Sequence, residues 1–130
     1  KTINDLLDEE VDTKFYYNKS KYYTKLKEKM KHKDTIYQWR RVYVRENKSK
    51  LCPTLTANMG TGGHNVPLII DNKDIRKLTP RECARFQGYS DSFLFPDTLP
   101  MSSLYKQLGN SVTVPVIESI ANEIKKAIYV

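Results

Sequence analysis

The stretch LCPTLTANMGTGGHN, residues 51–65, gathers side chains that commonly do chemistry. Cys52 stands against Pro53, Gly60, Gly62 and Gly63 fall within four positions, and His64 follows. Three kinds of site are worth weighing: a thiolate nucleophile, a glycine loop that cradles phosphate, and a Cys/His metal centre. Each meets an obstacle. A nucleophilic cysteine needs a base and an orienting group, and neither is identifiable near Cys52. A phosphate loop joins a strand to a helix, whereas this one lies between two candidate strands, 54–57 and 66–70. Zinc ligands could come only from Cys52, Cys83, His32 and His64, whose separations match no short-spaced zinc motif, so no metal is expected. Two cysteines are also too few for a disulfide framework, and a reducing, cytoplasmic home is the simplest reading.

Charge is the second chemical signal. The 130 residues carry a net charge of +7, unevenly spread. Residues 1–13 hold one lysine against five acids, residues 14–50 hold thirteen Lys/Arg against three acids, and residues 51–130 are nearly balanced. Within the basic block Tyr16, Tyr17, Tyr22 and Tyr23 interleave with Lys14, Lys19, Lys21 and Lys25. A concentrated basic block with aromatics fits a polyanion binder. A solvated lysine-rich helix face with half-buried tyrosines fits the same composition. No apolar run approaches the ~20 residues of a membrane span, and no signal segment opens the chain. The chain does not begin with Met, which suggests an excised piece or a processed product.

The elements that must position these residues read as follows. Residues 3–11 form a short acidic helix or turn, and 25–33 a helix with Leu26 and Met30 on one face. Residues 36–44 read as a strand, with Ile36, Gln38, Arg40 and Val42 on one face and Tyr37, Trp39, Arg41 and Tyr43 on the other. RENKSK is a turn, and VPLII (66–70) is a strand closed by DNK. LTPRECARFQGY carries the strongest helix start: Thr79 as cap, Pro80 at the first position, Glu82 three residues on, Leu78 stapled to Cys83, and Gly88 as a left-handed terminator. Cys83 and Phe86 share a face, so Cys83 is a core residue. Residues 89–100 are an irregular aromatic connection. The 3–4 spacing of Val116, Ile117, Ile120, Ala121, Ile124, Ala127 and Ile128 predicts an amphipathic helix starting near 111–114. Gly109-Asn110-Ser111 is then a tight turn delivering a helix N-terminus, which favours either an anion or a plain cap.

RKLTPRECARFQGY followed by YKQLGNSVTVPVIESIANEI resembles the ninth and tenth signature motifs of the bacterial DNA cytosine-5 methyltransferases. RRVYVRENKSKLCPTLTANMGTGGHNVPLI is similar to the target-recognition region of a subset that modifies sites beginning with two cytosines. The resemblance spans residues 36–128 closely and 1–35 more loosely. It implies an α+β chain: a small strand-rich recognition domain (1–103, with the ninth-motif helix about 79–88), then a tenth-motif turn and long helix (104–130) packing on a Rossmann-like catalytic domain.

The resemblance also implies S-adenosylmethionine as cofactor and double-stranded DNA as partner. The family's glycine-rich first motif, its catalytic Pro-Cys loop and its Glu-Asn-Val motif are not found in these 130 residues. No catalytic residue is therefore expected here, and the chain alone is expected to be inactive. It reads as the C-terminal part of a restriction–modification methyltransferase, needing a large domain in the same enzyme or in a separate subunit. The alternative is a non-catalytic DNA-binding or regulatory subunit, including the smaller subunit of a split enzyme. By the same resemblance Asn110, Ser111 and Val112 border the cofactor. Arg40, Arg41, Arg45, Thr54, Leu55, Asn58, Gly60, Thr61, Gly62, Gly63, His64 and Asn65 face DNA. Arg81, Glu82 and Arg85 are structural, through buried salt links. Cys-Pro is the reverse of the catalytic Pro-Cys, so Cys52 is expected to be packed and inert.

Overall fold

The computed structural model describes residues 1–61 and 64–129. Strands β1 (Tyr37–Arg40), β2 (Tyr43–Glu46), β3 (His64–Ile70) and β4 (Ile75–Lys77) form one antiparallel sheet in the order β2-β1-β3-β4. Alternation at its centre divides two cores. Ile36 and Ile69 join Leu55, Met59, Leu78, Cys83, Tyr105 and Leu108 in one cluster. Tyr37, Trp39, Val66, Leu68 and Ile75 join Leu26 and Met30 in the other. Helix α1 (Tyr23–Lys29) supplies Leu26 to that second cluster, and Met30 follows at its end, so its lysines are left outward. Helices α2 (Pro80–Phe86) and α3 (Met101–Asn110) cover the first face. Helix α4 (Val114–Ile128) follows. This is the expected α+β class.

Three local expectations are corrected. Residues 36–44 are not one strand: β1 turns at Arg41-Val42 and returns as β2, pairing Arg40 with Tyr43 and Gln38 with Arg45. Arg41 takes a φ of +46°, the left-handed value a two-residue hairpin demands, without the Gly or Asn that usually marks one. Residues 54–57 are irregular rather than a strand, because Leu55 and Met59 drop into the core and pull the backbone off any ladder. Gly109 and Asn110 are not a turn; they end α3, a ten-residue helix absent from the sequence reading. The link to α4 is Ser111–Thr113.

The capping box forms as written: the Glu82 amide donates to Thr79 Oγ1 at 3.1 Å and the Thr79 amide to Glu82 Oε2 at 2.7 Å. Gly88 has a φ of +88°, and a Cβ there would lie 2.5 Å from Pro115 Cδ. Pro67 lies within β3, a central strand. Antiparallel residues present N–H and C=O to the same neighbour. The Pro67 carbonyl accepts from the Leu78 amide at 3.1 Å, so the donor proline lacks would have met the Leu78 carbonyl. Tyr105 O–H donates to that carbonyl instead, at 2.6 Å, from α3. The ladder is thus completed by a side chain from another element.

Helix α4 contrasts with all of this. Val116, Ile117, Ile120, Ile124 and Ile128, its apolar stripe, are all exposed. Among the described residues no helix is long and apolar enough to cross a membrane.

Candidate nucleic-acid interface

The β1–β2 hairpin, the 51–56 segment and the start of β3 enclose a groove of about 310 Å³. Arg40, Arg45, Thr54 and Asn65, all expected to face DNA, line it together with Gln38, Asn47 and Thr56. Two local features aim them. The β1–β3 register shifts between Trp39 and Arg40, and Asn65 takes a φ of +55° there; a bulge re-aims a side chain, and Asn tolerates the left-handed region. Gln38 is buried on the same face; its amide donates to the Thr54 carbonyl at 3.4 Å and its oxygen accepts from Arg40 Nε at 3.0 Å. One amide thus ties the arginine to the loop. The sequence reading put Gln38 on the same face as Arg40 but gave it no role. Its period-two spacing from Arg40 was the available signal.

Beyond the groove, Arg41 sits exposed at the hairpin tip. Lys25 of α1 donates to the adjacent Val42 carbonyl at 2.7 Å, and Tyr22 stacks edge-on against Trp39 with centroids 4.5 Å apart. Tyr17 and Tyr22 therefore brace the hairpin through Trp39, Tyr16 and Tyr23 donate instead to Asp71 and Asp74, and the lysines between them stay at the surface.

The 54–61 segment is less uniform than expected. Thr54, Asn58 and Thr61 are exposed. Asn58 is wrapped by its own loop: Thr56 Oγ1 donates to its side-chain oxygen and Thr61 Oγ1 to its carbonyl, each at 2.8 Å. The side chain of Leu55 belongs to the core and anchors the segment; it does not face a ligand. Gly60 is demanded by an internal neighbour, not by an approaching groove: a Cβ there would come 2.6 Å from Tyr105 Cγ and 2.7 Å from its Cβ. His64 opens β3. Gly62 and Gly63 lie outside the described residues.

Asn110 and Val112 are exposed at the α3–α4 link, and Ser111 Oγ donates to the Leu108 carbonyl at 2.8 Å. The expected anion-seeking helix terminus is not there. The Val114 amide donates to the Gln87 carbonyl at 2.8 Å, Pro115 has no donor, and the Val116 amide turns back to the Thr113 carbonyl at 3.1 Å. Gln87, which the sequence reading passed over, organises the link: its side chain donates to the Leu108 carbonyl at 3.2 Å and accepts from Thr113 Oγ1 at 3.0 Å.

The ninth-motif charges are structural, with one exception. Glu82 is fully buried and takes a bidentate pair from Arg76 at 2.7 and 2.8 Å, as well as the amides of Thr79 and Asp8. Arg76 Nε also donates to Asp71 at 2.6 Å. Burial pulls the Arg76 pKa down, but its two carboxylate partners outweigh it and hold it above the usual arginine range. Arg85 bridges Asp91 and Asp8, each at 2.7 Å. Arg81 departs from the expected salt link: its guanidinium stacks on Phe95, 4.1 Å from the ring centre, and Nη1 is buried with no hydrogen bond. Burial pushes the Cys52 thiol up to about 12, and its Sγ donates to the Pro53 carbonyl, so it is protonated and inert near neutrality. Among the described residues no cluster of three His, Cys, Asp or Glu could hold a metal ion.

The fold and groove define a small α+β module. The C-5 cytosine-specific DNA methylase family model matches residues 1–126, and the chain belongs to that family. The Type II methyltransferase M.Bsp6I of Bacillus sp. (strain RFL6) is 58% identical over 130 residues, covering 97% of this chain and 41% of that protein. M.DsaV of Dactylococcopsis salina is 35% identical over 121 residues, covering 93% of this chain and 34% of its own length. The S. pombe Dnmt2 methyltransferase shares the fold, with a TM-score of 0.73 at 18% identity over 98% of this chain and 41% of that one. The chain thus spans between about a third and two fifths of the length of these proteins.

Proposed function

We propose that this chain is the target-reading, cofactor-completing part of an S-adenosylmethionine-dependent DNA cytosine-5 methyltransferase of a restriction–modification system, working in the cytoplasm. The observation that carries the reading is the groove. Arg40, Arg45, Thr54 and Asn65 converge there from three separate segments, and among the described residues neither arginine meets a carboxylate. Arginines and an asparagine held on a hairpin suit base edges and phosphates of double-stranded DNA. Arg41, Asn58 and Thr61 extend the same surface, and by family resemblance His64, Gly62 and Gly63 belong with them. Leu55 and Gly60 serve it by fixing the loop.

S-adenosylmethionine, when bound, supplies the methyl group. Asn110 would hold its methionine end, with Ser111 and Val112 beside it. The target base must leave the duplex to be reached, and the nucleophile for it belongs to a catalytic domain, covalently joined or a separate subunit. Helix α4 supports that division: its exposed apolar stripe needs a large apolar surface to cover it. We place the functional division near 103/104, with α3 shared in packing, the 111–115 link held by Gln87 and Gly88, and the exposed apolar stripe beginning at Val116.

A reconstitution tests the reading. The chain is mixed with the catalytic-domain polypeptide, labelled S-adenosylmethionine and a set of duplexes, and methyl transfer to cytosine C5 is measured. Transfer is expected only with both polypeptides present. Duplex-selective binding by the chain with no transfer on reconstitution would instead favour a non-catalytic DNA-binding subunit.

A further inference from the structure

Two glycines on different elements share an unusual demand. A Cβ on Gly109, the penultimate residue of α3, would overlap the Thr56 carbonyl group and the Ala57 nitrogen. The obstacle is backbone, which no rotamer change can clear. A Cβ on Gly60 would run into the Tyr105 ring near its root, 2.7 Å from Tyr105 Cβ. Tyr105 cannot swing aside, because it is buried and its hydroxyl is fixed on Leu78. The loop carrying Asn58 and Thr61 is therefore pressed onto α3 at both ends, one turn of helix apart. Met59 and Leu55 are buried beneath it. The same helix ends at Asn110, and Gln87 clamps that end by holding the Leu108 carbonyl.

We propose that α3 is a common mount for target reading and cofactor binding, and that Gly60 and Gly109 are positioning residues whose missing side chains let the loop seat on it. This rests on the functional reading above. A displacement of the α3 terminus that accompanies cofactor binding at Asn110 must move Thr56 and Ala57, since no side chain lies between to absorb it. By the reciprocity of linked binding, occupation of the loop by the correct DNA then tightens the cofactor, and the cofactor tightens correct DNA by the same factor.

The test uses the whole enzyme carrying this chain. Cofactor affinity is measured by calorimetry with and without cognate duplex, and kcat/KM is compared on cognate DNA and on DNA with one base pair changed. Far-ultraviolet circular dichroism and the thermal midpoint report folding. In the wild type, cognate duplex is expected to tighten S-adenosylmethionine by about tenfold, within the range usual for coupled sites. Gly109→Ala should abolish that linkage and lower discrimination while the enzyme stays folded. Gly60→Ala should do the same. If Gly109→Ala does not fold, Gly60→Ala decides. Linkage and discrimination at wild-type levels in a folded Gly109→Ala or in Gly60→Ala would overturn the proposal, as would the absence of any linkage in the wild-type enzyme. Asn58→Ala and Asn110→Ala separate the two layers. If the first leaves discrimination unchanged and the second leaves cofactor affinity unchanged, the functional reading itself fails. If both respond and the glycines do not, only the common mount fails.

Discussion

Arg76 and Arg85 differ from Arg40 and Arg45 in what surrounds them. Arg76 is sealed from water with two carboxylates, and Arg85 bridges two more. Arg40 is steadied by a neutral amide, and Arg45 is exposed on an edge strand with no carboxylate beside it among the described residues. A guanidinium whose charge is already matched inside the protein has little left for a ligand. One held in place by a neutral group keeps its full charge for an incoming anion. The comparison sorts structural from ligand-seeking arginines by partner rather than by position in a motif. The motif-borne arginines turn out to be the structural ones.

The sharpest way to break that comparison is to exchange the expected effects. Glu82→Gln leaves Arg76 only Asp71 as counter-charge and turns one buried acceptor oxygen into an NH2 group that faces donors, which should destabilise the protein by about 3 kcal/mol. Urea unfolding of the intact protein measures it, and a shift below 1 kcal/mol would mean the pair is not the buried link described. Arg45→Ala and Arg40→Ala should leave the unfolding midpoint within error and weaken DNA binding, by about 1–3 kcal/mol if the arginine reads a base. A base reader loses preference for one sequence, while a phosphate contact weakens all sequences and lowers the salt slope by about 0.9. Unchanged binding and slope in both variants would remove the groove from the DNA surface.

Tyr105→Phe should cost about 1–3 kcal/mol, because the Leu78 carbonyl is left buried without a donor. Thr79→Ala should cost about 1 kcal/mol through the lost cap. The smallest effect concerns pH. Burial raises the Asp71 pKa, but its donors Tyr16, Arg76 and the amides of Asp74 and Lys73 outweigh it and hold it below the ordinary value. A depressed carboxylate stabilises the fold above its unfolded value of about 4 and loses that contribution as pH falls through the folded one. Stability should therefore drop below about pH 4, and Asp71→Asn should flatten that part of the profile; an unaltered profile would show that Asp71 does not govern it.

What could be read in advance followed local chemistry. The Thr79–Glu82 box, the Gly88 terminator and the Leu26/Met30 face were legible because each is settled within four residues. The groove members Arg40, Arg45, Thr54 and Asn65 were found through family resemblance rather than through spacing, and their convergence needed the fold. The hairpin was missed because Arg41-Val42 carries no turn residue. Helix α3 was missed because Gly109 looked like a break; its small size answers to a backbone contact with residues far away in sequence. Gln87 and Arg76 could not have been singled out, since a buried polar side chain is recognised by its partners, and those lie on other elements.

Pro67 carries a last consequence. A central strand can mispair by sliding one residue, which would turn its core side chains outward. Here the slide is penalised at a second point. A shifted β4 would bring a different carbonyl against the proline ring, and the Tyr105 hydroxyl, fixed in place by α3, would no longer reach it. Each orphaned group would cost about 1–3 kcal/mol. The tyrosine that completes the ladder therefore also acts as a gauge of alignment, so the sheet closes fully only when the helix and both strands have arrived in the same register.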